Sequence, residues 1–233
     1  MYDPWSASVV EDVDFYVEEA RRSGGPVLEL GVGTGRIAIP IALAGVPVVG
    51  VDSSEGMLAV ARERAELAGA AVDLRYGDLR QPPVEERFPL VLCPFRTLLH
   101  MQTDADRRAA LRAVRARVAD GGRFVFDVFT PGHDDVVATH GRWLEREPGI
   151  FERADWDEER RTLILRVAGC DAEAELSLAW LPIAEWHTLL GEEGFAVEAV
   201  YGWFDRSPYR DGDEDSIWIV SPTRTRPGSS TSK

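Results

Sequence analysis

The chain predicts an α/β fold: an open, doubly wound sheet with a small antiparallel β insertion in its second half. Three observations carry that expectation. Residues 27–52 read as strand, glycine loop, helix, strand and terminal acid. Short aliphatic runs then alternate with amphipathic helical segments as far as Phe129. From about Pro131 the alternation stops, and β-prone runs follow one another without a helix between them.

Taken in order, residues 1–24 form a lead-in. Val9, Val13, Tyr16 and Val17 recur at helical spacing with acids between them, and Met1-Tyr2-Asp3-Pro4-Trp5 stands ahead of them. Val27 to Leu30 is a short apolar run ended by glycines, as in a strand buried on both faces. Arg36 to Ala44 suits a helix stopped by Gly45, with Pro40 tolerable only near its first turn. Val46 to Val51 is the next strand, ending at Asp52. Ser53 or Ser54 can cap a helix that reaches Ala68 and stops at Gly69, with Met57, Val60, Ala61, Ala65, Ala68 and part of Arg64 facing inward. Val72, Leu74 and Tyr76 alternate with polar residues, as near a sheet edge. Gly77-Asp78-Leu79 follows, and Leu90 to Cys93 is a buried strand.

Thr103 caps the next helix, whose inward row is Leu111, Val114 and Val118 and whose end is Asp120-Gly121-Gly122. Arg107, Arg108, Arg112, Arg115 and Arg117 along it read as a solvated face. Arg123 to Phe129 is strongly β-prone. Asp127 within it must find donors, either as a satisfied structural acid or as a group facing a ligand, and both readings stand. Residues 132–145 read as irregular or helical, and Ile150–Trp156, Arg161–Val167 and Ala172–Trp180 as three strands. Pro182 opens a helix with Trp186, Leu189 and Leu190 inward, and Phe195–Phe204 and Ser216–Val220 close the sheet. The domain thus spans 25–222, with an insertion at about 132–181 and a polar tail over 223–233.

Gross numbers exclude several functions. A formal charge of -14 over 233 residues repels phosphate backbones and anionic lipids, so no nucleic acid or membrane partner is expected. Two cysteines, Cys93 and Cys170, have no metal-ligand spacing, so no metal site and a reduced, cytoplasmic setting are expected. No apolar run reaches the ~18 to 20 residues of a membrane span. A homodimer stays open.

Glycine spacing separates two nucleoside ligands. A dinucleotide fingerprint, G-x-G-x-x-G, would place its third glycine at Arg36. Here the run is Gly31, Gly33, Gly35, with Glu29 two residues ahead and Asp52 at the tip of the following strand. E-x-G-x-G-x-G followed by that acid resembles motif I and the acidic motif of the class I S-adenosylmethionine-dependent methyltransferases, over roughly residues 26–130. The resemblance implies a Rossmann-like, seven-stranded sheet whose last strand is antiparallel, and S-adenosyl-L-methionine as cofactor.

It also implies roles. Gly31, Gly33 and Gly35 would pass under the methionine and ribose, Asp52 would hold the ribose hydroxyls, and Ser53 and Met57 would contact ribose and adenine. Asp78 would accept from the adenine amino group with Leu79 against the ring, and Glu29 and Pro94 complete the expected cofactor set. After the fourth strand the chain reads Cys93-Pro94-Phe95-Arg96, without the N/D/S-P-P-Y/F signature common among enzymes that methylate planar nitrogens of nucleic acid and protein. It is similar there to small-molecule N- and O-methyltransferases, which makes His100 the candidate for contacting the acceptor and taking its proton. Tyr2, Trp5, Phe95, Arg96 and Trp180 are the other acceptor-pocket candidates, and His187 is a weaker one. The competing readings are a non-catalytic cofactor-binding or regulatory protein and, against the glycine spacing, an NAD-dependent oxidoreductase.

Overall fold

The computed structural model describes residues 11–169 and 172–223. The expectations for Tyr2, Trp5, Val9 and the tail beyond Thr223 lie outside them. In chain order the elements are α1 (Glu11–Ser23), β1 (Val27–Leu30), α2 (Ala38–Leu43), β2 (Val48–Asp52), α3 (Glu55–Ala68), β3 (Val72–Tyr76), β4 (Phe88–Cys93), a short helical turn at Thr97–His100, α4 (Asp104–Arg117), β5 (Val118–Phe129) and α5 (His133–Thr139). Then come β6 (Trp143–Glu147), β7 (Ile150–Asp157), β8 (Thr162–Gly169), β9 (Ala172–Ala179), α6 (Ile183–Glu192), β10 (Phe195–Tyr201) and β11 (Asp215–Pro222).

Seven strands make one sheet in the order β10-β11-β5-β4-β1-β2-β3. β11 is antiparallel to both its neighbours, because a hairpin returns it from β10 into the gap beside β5. The chain winds outward from β1 to β3 and then crosses to β4 on the other side of β1. That reversal opens a crevice at the carboxyl ends of β1 and β4, the place where open α/β sheets bind ligands. Alternate residues of each strand feed two cores. Leu28, Leu30, Phe124, Phe126 and Trp218 pack toward α4 and α6, and Val27, Leu90, Leu92, Val125 and Ile217 toward α1, α2 and α3. None of the helices among the described residues is long and apolar enough to cross a membrane.

A second sheet, β6-β7-β8-β9, is antiparallel throughout. It has four strands where three were expected. β6 lies in the stretch read as irregular or helical, because as an exposed edge strand it shows no buried-exposed alternation. The turn dipeptide Pro148-Gly149, with Gly149 at φ 75°, was the available signal.

Three smaller readings are corrected. α4 ends at Arg117, and Asp120-Gly121-Gly122 lies in an irregular stretch of β5, where the register against β4 shifts between Phe88 and Leu90. α3 buries Leu58, Ala61 and Ala65, while Arg64 and Ala68 are exposed. Arg107 is not solvated: it is buried and donates to the Ala179 carbonyl at 3.2 Å, tying α4 to the end of β9.

Candidate active site

The loop after β1 is shaped by its main chain and by Asp52. Gly31 N and Val32 N both donate to the Val51 carbonyl, at 2.8 and 3.0 Å. Gly33 N donates to Asp52 Oδ2 and Ser54 N to Asp52 Oδ1, both at 2.8 Å. One carboxylate therefore braces the loop and the start of α3 while keeping lone pairs for a ligand. Two glycines are required for different reasons. At Gly31 (φ 74°) a Cβ would stand 2.4 Å from Thr97 Cγ2, so its absence lets the turn after β4 close on the loop. At Gly33 (φ 54°) a Cβ would meet nothing nearer than 4.0 Å, leaving a bare left-handed main chain beside open space. Gly35 instead lets the loop pack on Ile39 and does not line the cavity.

At the tips of β2 and β3, Ser53, Ser54, Met57, Asp78 and Leu79 face the same space. Ser54 caps α3 by accepting from Met57 N at 3.3 Å. Asp78 is gripped by Arg80, whose Nη2 lies 2.6 Å from Oδ2 and whose main-chain N–H donates to Oδ1 at 2.8 Å. These bonds lower its pKa and fix the carboxylate as an ionised acceptor. Arg80 also reaches Asp106 at 2.5 Å. This clamp escaped sequence reasoning, because Asp106 is distant in the chain and arrives from α4.

Pro94-Phe95-Arg96 turns the chain sharply after β4, with Phe95 and Arg96 both left-handed at φ 55° and 61°. Buried Asp127 on β5 holds this geometry, accepting from Phe95 N at 2.7 Å, Arg96 N at 2.9 Å and the Tyr16 hydroxyl at 2.5 Å. That settles the two readings of Asp127: it is a satisfied structural acid behind the cavity wall. Burial nonetheless pushes its pKa up to about 6, with the Tyr16 hydrogen bond opposing the rise. Arg96 stacks over Phe129 at 4.8 Å and pairs with Asp215 at 2.8 Å. Arg36 lies 4.8 Å over the Phe95 ring while Asp12 binds it through two hydrogen bonds. Pro94 accepts from Thr97 through its carbonyl and is not on the wall. His100 is on it, open to solvent yet ringed by protein. Desolvation lowers its pKa and Asp52 pulls the other way, so the imidazole is neutral near pH 7 and able to accept a proton.

These groups line one end of a cavity of about 610 Å³. Its far wall is one face of the second sheet, where the pairings Trp156–Leu163, Ala154–Leu165, Leu165–Leu176 and Leu163–Leu178 align apolar side chains. Among the described candidates, Gly31, Gly33, Asp52, Ser53, Met57, Asp78, Leu79, Phe95, Arg96 and His100 converge on the cavity. Glu29, Gly35, Pro94 and Trp180 are not on its wall. Trp180 packs behind Trp156, ring centroids 5.5 Å apart, and His187 sits edge-on to Trp218 at 4.8 Å. Sequence reasoning missed the leucines of β8 and β9, whose alternation was legible but whose inward face depends on how the sheet docks.

Residues 27–122 match the methyltransferase-domain family. The chain is 35% identical to the ubiquinone biosynthesis O-methyltransferase of Ruegeria pomeroyi over 76% of its own length and 72% of the relative's. It belongs to the class I S-adenosylmethionine-dependent methyltransferases. This methyltransferase is also 27% identical to the cypemycin N-terminal methyltransferase of a Streptomyces species, over 84% of this chain and 83% of that one. The CcbJ methyltransferase of Streptomyces caelestis shares its fold at a TM-score of 0.82 and 26% identity, covering 94% of this chain and 98% of that one. The chain spans about half the length of the first curated relatives it matches.

The residues present fit S-adenosylmethionine. Gly33 leaves an open cradle, and the Glu29 Oε2 on β1 is buried with no hydrogen-bond partner. Burial pushes the Glu29 pKa up to about 8, with Arg36 opposing, a state that a nearby cation would relieve.

Proposed function

We propose that this methyltransferase acts on a nitrogen or oxygen atom of a small-molecule acceptor bound against the second sheet. The observation that carries this is the single cavity running from the glycine loop, Asp52 and Asp78 to the apolar face formed by β7, β8 and β9. Its size suits a cofactor and a small partner, and the charge of -14 opposes a nucleic-acid acceptor. Relatives named as a glycine/sarcosine N-methyltransferase and as a ubiquinone biosynthesis O-methyltransferase support both atoms.

Bound S-adenosylmethionine supplies a methyl group on a sulfonium leaving group. The protein's task is placement, which by itself can lower a barrier by roughly 7 to 11 kcal/mol. In this reading Gly31 and Gly33 let the main chain approach the ligand, Asp52 accepts from the ribose hydroxyls, and Asp78 with Leu79 frames the adenine. Glu29 lies buried behind the wall, so it acts on the ligand's ammonium through its field and not by contact. Phe95 and Arg96 wall the junction between cofactor and acceptor, and the second sheet excludes water. Neutral His100 takes the proton of an alcohol or phenol, or of an ammonium before it reacts.

The test is transfer of radiolabelled methyl to a panel of small amines, alcohols and phenols. Labelled product that is lost with Asp52→Ala is expected. Tight cofactor binding with no transfer to any small acceptor would refute the acceptor class and favour a non-catalytic or macromolecular role.

A further inference from the structure

The cavity wall narrows the acceptor's chemistry, provided that the cavity is the acceptor site proposed above. Three arginines reach the wall, and each already has a carboxylate. Arg80 pairs with Asp78 at 2.6 Å and Asp106 at 2.5 Å, Arg96 with Asp215 at 2.8 Å, and Arg146 with Glu152 at 3.6 Å. A phosphate or diphosphate is recognised by guanidinium and ammonium groups free to turn toward it. Here it would compete with a hydrogen-bonded carboxylate at Arg80 and at Arg96, while Arg146 meets Glu152 only through Nε, in a chain of charge -14. His100, kept neutral, adds no positive charge.

The other wall features point the opposite way. Six apolar side chains, Ala154, Trp156, Leu163, Leu165, Leu176 and Leu178, form one continuous face of the second sheet. Such a face gains from burying an apolar body and gives nothing to a charged one. At the mouth stand Asp135 and Glu214, whose carboxylates have neither a cationic partner nor a hydrogen-bond donor among the described residues. They face one point: a Cβ on Gly132 would lie 2.9 Å from Asp135 Oδ2 and 3.5 Å from Glu214 Oε1.

We infer that the acceptor is an amine borne on an apolar body that carries no phosphate. Its body lies on the leucine face, and its ammonium form is drawn in past Asp135 and Glu214. For transfer the ammonium first gives a proton to solvent or to His100. The nitrogen lone pair then forms the N–C bond as the sulfonium C–S bond breaks, leaving a neutral thioether and a methylated ammonium.

The experiment uses a matched pair of probes, phenethylamine and phenethyl phosphate, titrated calorimetrically into the full chain saturated with S-adenosylhomocysteine. The amine is expected to bind, and the phosphate to give no binding heat. The double variant Asp135→Asn, Glu214→Gln is expected to weaken the amine about three- to tenfold while leaving S-adenosylhomocysteine affinity unchanged. Phosphate binding as tight as the amine's, no amine binding at all, or equal amine affinity in the double variant would each overturn the inference. Failure of S-adenosylhomocysteine itself to bind would instead remove the cofactor-site reading beneath it.

Discussion

Phe95 and Arg96 hold a backbone conformation that side chains ordinarily avoid, at a cost on the order of 1 to 2 kcal/mol each. Asp127 sustains it through both main-chain N–H groups, and Tyr16 adds a third bond from α1. Tyr16→Phe should therefore lower unfolding stability by about 1 to 3 kcal/mol in urea titrations, the range for a lost hydrogen bond to a buried charge. Asp52→Ala leaves Gly33 N and Ser54 N without their acceptor and takes away the proposed ribose ligand. S-adenosylhomocysteine affinity should fall by about 1 to 3 kcal/mol in calorimetry, and an unchanged affinity would take Asp52 out of the site. Glu29 supplies a pH signature. Its pKa, 4.5 in a free chain, is raised by burial to about 8 in the folded protein. The folded state thus holds the proton more tightly. The stability from this group is fully present below pH 4.5 and is lost as pH rises through about 8. Glu29→Gln carries no charge to desolvate, so without cofactor it should lose less stability than the parent between those limits, by up to a few kcal/mol. Denaturation curves across that window with the same slope for both would contradict the assignment.

At the scale of elements, α3 begins at the cavity because Ser54 caps it, and it ends where Gly69 turns left-handed at φ 68°. Ser54→Ala should cost about 0.5 to 2 kcal/mol of stability by thermal or urea unfolding. Two glycines of the loop should respond differently. A methyl at Gly31 meets Thr97 and must push the turn after β4 away, so Gly31→Ala should lower the melting temperature as well as cofactor affinity. A methyl at Gly33 meets open space, so Gly33→Ala should damage binding more than folding. How much could be read in advance follows the same physics. β1, α2 and β2 were legible because aliphatic runs, glycines and a terminal acid are local signals. β6 was not, because an edge strand with both faces exposed has no period to detect, and Arg107 was misread because its burial depends on β9 arriving from 72 residues away. Trp180 was taken for a cavity residue because the antiparallel insertion that carries it resembles the family's acceptor cover. Trp156, which does line the cavity, packs edge-to-face against Trp180.

For the molecule as a whole, the sheet order was available through the family's motifs, whereas the docking of the second sheet was not. That sheet meets the first only through tertiary packing, so the leucine wall and the pairing of each cavity arginine emerge with the three-dimensional fold. The two sheets divide the work: the carboxyl ends of β1, β2 and β3 offer main chain and carboxylates, and the antiparallel sheet offers apolar surface. The central claim is that an adenosyl sulfonium binds in the crevice where the strand order reverses. A crystal structure of the chain soaked with S-adenosylhomocysteine tests it most directly. Density with the ribose hydroxyls on Asp52, the adenine beside Asp78 and Leu79, and the sulfur toward Phe95 and His100 is the predicted result. Density at any other place, or a crevice left empty at saturating ligand, would contradict it.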